Sequence, residues 1–152
     1  EKTTVILELN AENLEKEIPL KTIKLPYKIG DDLTEILKLR KIYFDIGKYT
    51  IRPESIIELD KVVSFLNLYP SVKIEIGSHT DSRQSAQLNQ ILSENRAKET
   101  LNYLVKSGIN PDRLIAVGYG ESKLINNCSD GVICTKEQNQ QNRRSTFIII
   151  NN

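Results

Sequence analysis

The apolar residues of this chain switch repeatedly between two periods, and that switching restricts the fold more than any other feature. In KIYFDI they alternate, which puts Ile42, Phe44 and Ile46 on one face. Alternation marks a half-buried strand. From Pro53 the spacing lengthens, and Ile56, Leu59, Val63 and Leu66 recur as one stripe of a helix. Arg52-Pro53-Glu54 opens that helix. Proline is favoured at the first helical position, and a glutamate suits the positive end of the helix dipole. Tyr69-Pro70 stops it, and VKIEIGS alternates again through Val72, Ile74 and Ile76. Strand, helix and strand make a βαβ-type unit.

The same switch then repeats. Ser93 is expected to cap a second helix, with Ala97, Leu101, Leu104 and Val105 as its stripe and Gly108 closing it. Asn110-Pro111-Asp112 is a turn, and LIAVGYG is a third strand with Ile115, Val117 and Tyr119 on one face. A long polar loop runs from Glu121 to Asn142, and RRSTFIIIN is a last strand rich in β-branched residues. The order βαβαββ predicts an α+β two-layer sandwich, with two main helices on one face of a small mixed sheet. Residues 1–40 read differently. TTVILEL suits a strand, IPLKTIKLPYKIG an extended connector and DDLTEILKL one short helical turn. They are expected to be the tail of a preceding β-rich module plus a linker, with the main domain at 41–152.

Composition excludes several function classes. The 152 residues carry a net charge of +1, so there is no basic footprint for nucleic acid. Aromatic residues are only 6%, too few for platforms that stack single-stranded bases. No apolar run approaches the ~20 residues of a transmembrane helix. The chain contains no methionine, so it is expected to be a processed or excised piece, with any membrane anchor outside it.

Chemistry must come from few residues. Ser78, His79, Asp81 and Ser82 contain triad residue types, but neighbours on an extended strand point in alternate directions and cannot converge. One histidine and scattered carboxylates show no metal-ligand spacing. GYGES is followed by an irregular loop rather than a helix, so it is not read as a phosphate cradle. No cofactor is expected. Cys128 and Cys134 are either two free thiols or a short-loop disulfide. The disulfide is the favoured reading, and it implies an oxidising compartment.

One pair remains. Asp81 leaves the C-terminal end of a strand, where sheet proteins often place ligands. Arg96 would stand near the start of a helix capped by Ser93, a poor place for a cation unless an anion binds there too. An acid and an arginine in one site suit a zwitterion, that is, an amino-acid headgroup. A solvated surface is the plain alternative.

FDIGKYTIRPES, SHTDSR with NQILSENRA, LVKSGINPDRL, VGYGES and NRRSTF occur in that order. Over residues 41–152 the chain thereby resembles the OmpA-like peptidoglycan-binding domain, a family that includes the peptidoglycan-associated lipoproteins. The resemblance implies the βαβαββ sandwich and a non-enzymatic function: non-covalent binding of the diaminopimelate residue of the peptidoglycan stem peptide. It implies a periplasmic setting, attached to the outer membrane through a parent protein or envelope complex. By position, Asp81 would pair with the ligand ammonium and Arg96 with its carboxylate. Asn89 would bond ligand or loop, and Asp45 and Ile46 would line the pocket. Arg143 and Arg144 match the family's paired arginines, and strand alternation predicts that only one faces the site. Some members carry a disulfide in the loop that holds Cys128 and Cys134. The chain has Gln84 where many members have glycine and Leu88 where they have tyrosine. Gln84 therefore raises the prospect of a strained or reshaped loop. It also keeps open an alternative, a protein-interaction module of a secretion-associated envelope complex that kept the fold without wall binding.

Overall fold

The computed structural model describes residues 26–151. The strand-like TTVILEL lies outside them. In chain order the elements are α1 (Leu33–Ile36), α2 (Pro53–Leu68), β1 (Lys73–His79), α3 (Ala86–Lys106), a 3-10 turn at Pro111–Arg113, β2 (Leu114–Gly120), α4 (Lys136–Asn142) and β3 (Arg144–Asn151). The sheet order is β2-β1-β3, with β2 parallel to β1 and β3 antiparallel to it. This is the expected α+β arrangement of a small mixed sheet and two main helices. Among the described residues no helix is long and apolar enough to cross a membrane.

Two elements differ from expectation. KIYFDI is not a strand of the sheet. Among the described residues its only ladder contact is an isolated antiparallel bridge between Phe44 and Ile51, and Ile46 is 96% exposed. Alternation there records Ile42 and Phe44 packing against the core from a loop. The loop is tied to α2 instead of to a strand. Ser55 Oγ accepts from the Tyr43 amide at 2.7 Å, and the buried Glu58 accepts from the Arg40 amide at 2.9 Å. The second difference is the start of α3. Its N-cap is Ser85, whose hydroxyl accepts from the Leu88 amide, and Ser93 is fully buried in mid-helix.

The core lies between the sheet and the two long helices. Val72, Ile74, Ile76, Phe147 and Ile149 project from the sheet side onto Leu59, Val62, Phe65 and Leu66 of α2 and Leu104 of α3. The α2 stripe is rotated slightly from the expected one. Val62 and Phe65 are buried, while Val63 only packs partly against the core. α3 sits directly on β2 at Gly118, where an added Cβ would lie 2.3 Å from the Glu94 nitrogen. No other residue fits that contact.

Residues 26–40 join the same core instead of linking to it. Tyr27 packs edge-on against Phe65 and Tyr69, and Leu33 is fully buried. The Gly30 amide donates to Ile149 O and the Ile149 amide to Asp31 O, which runs this segment along the free edge of β3. Asp32 caps α1 through the Thr34 amide and also accepts from the Phe147 amide at 3.0 Å.

Candidate functional site

A cleft of about 700 Å³ opens at the C-terminal end of β1. Thr80, Asp81, Asn89, Arg96, Arg143 and Arg144 all line it, with Phe44 and Ile46 on the far wall. Sequence positions 44 to 144 thus converge on one concavity.

Asp81 is set by a tight local turn. Its Oδ1 accepts from the Arg83 amide at 3.1 Å, and Oδ2 accepts from Arg83 Nη2 at 2.9 Å and Arg143 Nη1 at 2.6 Å. Burial pushes the Asp81 carboxyl up, but the Arg83 and Arg143 hydrogen bonds outweigh it and hold the group below its usual range. Asp81 is therefore an anion at neutral pH although it is only 6% exposed.

Asn89 holds the loop. From the first turns of α3 its Nδ2 donates to Asp81 O at 2.9 Å and to Glu121 Oε2 at 2.9 Å, with Gln84 O at 3.3 Å. Gln84 carries no left-handed strain. Lys38 is the only non-glycine at positive φ among the described residues. Ser82 Oγ donates to Cys128 O at 2.5 Å, so the Asp81 loop is also tied to the loop that the Cys128–Cys134 disulfide closes.

Arg96 stands eleven residues into α3, far from the helix N-terminus. The dipole misfit read from a Ser93 cap is thus absent, and a different device holds the cation. Its Nε donates to Lys48 O at 2.9 Å and its Nη2 to Asp45 O at 3.2 Å, while the guanidinium lies 4.9 Å over the Phe44 ring. Burial, then repulsion from Arg143, lowers its pKa, and attraction to Asp81 works against both. Among the described residues Nη1 makes no hydrogen bond, yet it is not sealed from solvent.

The remaining predicted residues divide. Asp45 contributes its carbonyl to Arg96, but its carboxylate is exposed, 3.9 Å from Arg52 and not on the cleft. Ile46 lines the rim. Arg143 and Arg144 both line the cleft, against the expectation that alternation would exclude one. Arg143 is the C-cap of α4 and precedes β3, so strand alternation does not relate the two. Arg143 bonds Asp81, whereas Arg144 bonds the carbonyls of Lys123 and Asn142. The loop before them is clipped by Asn142, fully buried, which accepts from the Ile125 amide and donates to Asn126.

Arg83 and Phe44 join the cleft in addition to the residues expected from sequence. Arg83 lies two residues from Asp81, the spacing at which an aspartate accepts the backbone amide of an Asx turn. Phe44 carried a signal too, since it is the aromatic residue in the segment whose carbonyls receive Arg96. His79 lines the cleft but bonds neither Asp81 nor Arg96. It stacks on Tyr119 at 4.9 Å, and burial, then Arg144 and Lys123, lowers its pKa to about 4, so it is neutral at pH 7.

Known proteins share the sequence pattern and the fold. Outer membrane porin F of Pseudomonas fluorescens is 39% identical over 84 residues, which cover 55% of this chain and 26% of the porin. The peptidoglycan-associated lipoprotein of Rhizobium meliloti is 32% identical over 109 residues, 72% of this chain and 59% of the lipoprotein. The chain thus spans less than two thirds of the length of these curated relatives. The crystal structure of the peptidoglycan-associated lipoprotein from Burkholderia pseudomallei superposes with a TM-score of 0.64 at 25% identity, covering 74% of this chain and 92% of that one. The OmpA family profile matches residues 43–143, which hold Asp81, Asn89, Arg96 and Arg143. By sequence and by fold, the chain belongs to the OmpA family.

Proposed function

We infer that this domain binds peptidoglycan non-covalently through the diaminopimelate residue of the stem peptide, and so tethers an outer-membrane protein or envelope complex to the cell wall from the periplasm. The observation that carries the reading is one cleft holding two buried, oppositely charged side chains, Asp81 and Arg96. The free end of diaminopimelate is an amino-acid headgroup. Its ammonium fits Asp81, and its carboxylate fits the open edge of Arg96, where guanidinium geometry favours bidentate pairing. The names of the lipoprotein relatives point the same way, and the disulfide suits an oxidising compartment. The role is anchoring, not catalysis.

Asp81 is occupied by Arg83 and Arg143, so an incoming ammonium must displace one of them. Arg83 is the easier to move. Its side chain is 57% exposed, and exposed ion pairs contribute only ~0–1 kcal/mol.

That same internal pairing favours the second reading, an interaction module of an envelope complex that keeps the fold without wall binding. Sedimentation with purified diaminopimelate-type sacculi separates the two. The domain should co-sediment, and Asp81→Ala or Arg96→Ala should each weaken binding at least about tenfold, since a charge-assisted contact contributes ~1.5–3 kcal/mol. Wild-type protein left in the supernatant would favour the interaction module.

A further inference from the structure

A second concavity, of about 630 Å³, lies against α2 and contains neither Asp81 nor Arg96. Glu54, Ile57, Glu58 and Lys61 give it one wall, at the three-and-four spacing that sets them in a row along the helix. Arg40, Lys41 and Tyr43 line it from the segment before α2. The two walls are pinned together. The Arg40 amide donates to Glu58 Oε2 at 2.9 Å, and the Tyr43 amide to Ser55 Oγ at 2.7 Å. The groove is therefore preformed, and an occupant loses little by ordering it.

Two apolar side chains in this groove are left to water. Ile57 is 64% exposed and Tyr43 is 43% exposed. Ile57 stands two residues from Leu59 of the core, about 200° around the helix, so the core does not use it. A lone exposed isoleucine is ordinary. One that shares a preformed groove with an exposed tyrosine offers a seat for an apolar side chain of another molecule.

The charges around that seat are mostly positive. Arg52, also on the lining, is held by Glu54 at 2.7 Å and by Asp45, outside the groove, at 3.9 Å. Lys61 is held by the buried Glu58 at 3.1 Å. Burial pushes the Glu58 carboxyl up, but the Arg40 amide and Lys61 outweigh it, and the Arg40 charge adds a smaller pull. Arg40 thus shares a carboxylate already bonded to Lys61. Among the described residues Lys41 has no carboxylate partner. It donates to Gln140 O at 2.9 Å, and burial, then Arg143 and Arg144, lowers its pKa. A purely apolar occupant would strip water from Arg40 and Lys41 without replacing it, and a basic one would be repelled.

We propose that this groove is a docking surface for an acidic segment of a partner protein, which lays one or two apolar side chains on Ile57 and Tyr43 and sets carboxylates against Arg40 and Lys41. The inference is independent of what the Asp81–Arg96 cleft binds.

Selection of short random peptides displayed on phage tests it, with the whole chain as immobilised bait and the Ile57→Glu variant used first to remove peptides that bind elsewhere. The surviving peptides should be rich in aspartate and glutamate around one or two large apolar residues. Titrated in solution, they should bind the double variant Arg40→Gln, Lys41→Gln several-fold more weakly than the wild type, and that gap should close as salt rises. All three substituted side chains are exposed, so thermal melts of the variants should coincide with the wild type. No surviving peptide, or survivors without acidic bias whose binding the double variant leaves unchanged, would overturn the proposal. Titration with an N-acetylglucosamine oligomer covers the other class of ligand, a glycan. Movement of the Ile57 methyl resonance by this sugar, with no peptide selected, would assign the groove to glycan and overturn the protein partner.

Discussion

Asp81 and Arg96 are both more than nine-tenths buried, and both stay charged. Burial penalises an ion unless polar groups replace its water. Asp81 receives guanidinium and amide hydrogens, and Arg96 receives two carbonyls and a ring face. Each therefore presents a charge already held in place, so little side-chain entropy is lost when a ligand arrives. His79 shows the opposite solution at the same strand end. Its Nδ1 is buried without a partner, and the ring stays neutral. Its pKa falls from 6.5 to about 4 on folding, so between those values the unfolded chain binds a proton that the folded chain does not. Stability is unaffected above that window, falls as pH drops through it, and levels off below it. The loss should be on the order of 2 kcal/mol after allowance for residual solvent screening. Urea denaturation at pH 7 and pH 4.5 measures it, and His79→Phe, which keeps a ring on Tyr119, should flatten that part of the profile. Equal pH dependence in both proteins would contradict the assignment to His79.

At the scale of elements, the site is built where α3, the end of β1 and two loops meet. α3 buries Asn89, Ser93, Arg96 and Thr100 on one face, at the three-and-four spacing of a helix stripe. These polar residues all have fixed partners. Asn89 holds the Asp81 loop, Ser93 Oγ accepts from the Gly120 amide at 2.8 Å, and Thr100 bonds back to Arg96 O. The disulfide loop is the outermost support, because Cys128 O receives Ser82 beside Asp81. Reducing the Cys128–Cys134 bond should cost about 2 kcal/mol of stability from the six-residue separation, by the chain-entropy account. It should also weaken ligand binding several-fold by loosening the Ser82 contact. Titration with and without a phosphine reductant reads the second effect, and identical affinities would show that the two loops are uncoupled. The buried face of α3 also explains where sequence reading stopped. The helix was legible from the Ser93 cap onward, where its stripe turns apolar. Its first eight residues, from Ala86 to Ser93, were not, because a buried polar stripe has no hydrophobic period. Asp81 and Arg96 were legible as a pair, though the dipole reason offered for Arg96 fails with the earlier helix start. The carbonyls that cradle Arg96 were not, since main-chain partners leave no mark on composition.

At the scale of the whole molecule, one core serves the sheet, both long helices and the segment from residue 26 to 39. The alternation in KIYFDI looked like a first strand because a loop that packs on a core and a half-buried strand both bury every second residue. Residues 26–40 looked like a linker because their buried residues, Tyr27 and Leu33, are few and separated by turn formers. Leu33 is fully enclosed, so Leu33→Ala should destabilise the whole domain by about 2–5 kcal/mol in a single transition. Calorimetry showing a separate early transition, with the main one unmoved, would mean that the segment is an independent appendage.

The central claim is that Asp81 and Arg96 together receive one zwitterion. Titration of diaminopimelate into isotope-labelled protein, followed by NMR at the Arg96 side-chain Nε–H and the Arg83 amide that bonds Asp81, tests it most directly. Both signals should move together along one saturating curve, and Asp81→Asn should remove the response at both. Movement at neither position, or saturable binding that persists unchanged in Asp81→Asn, would contradict it.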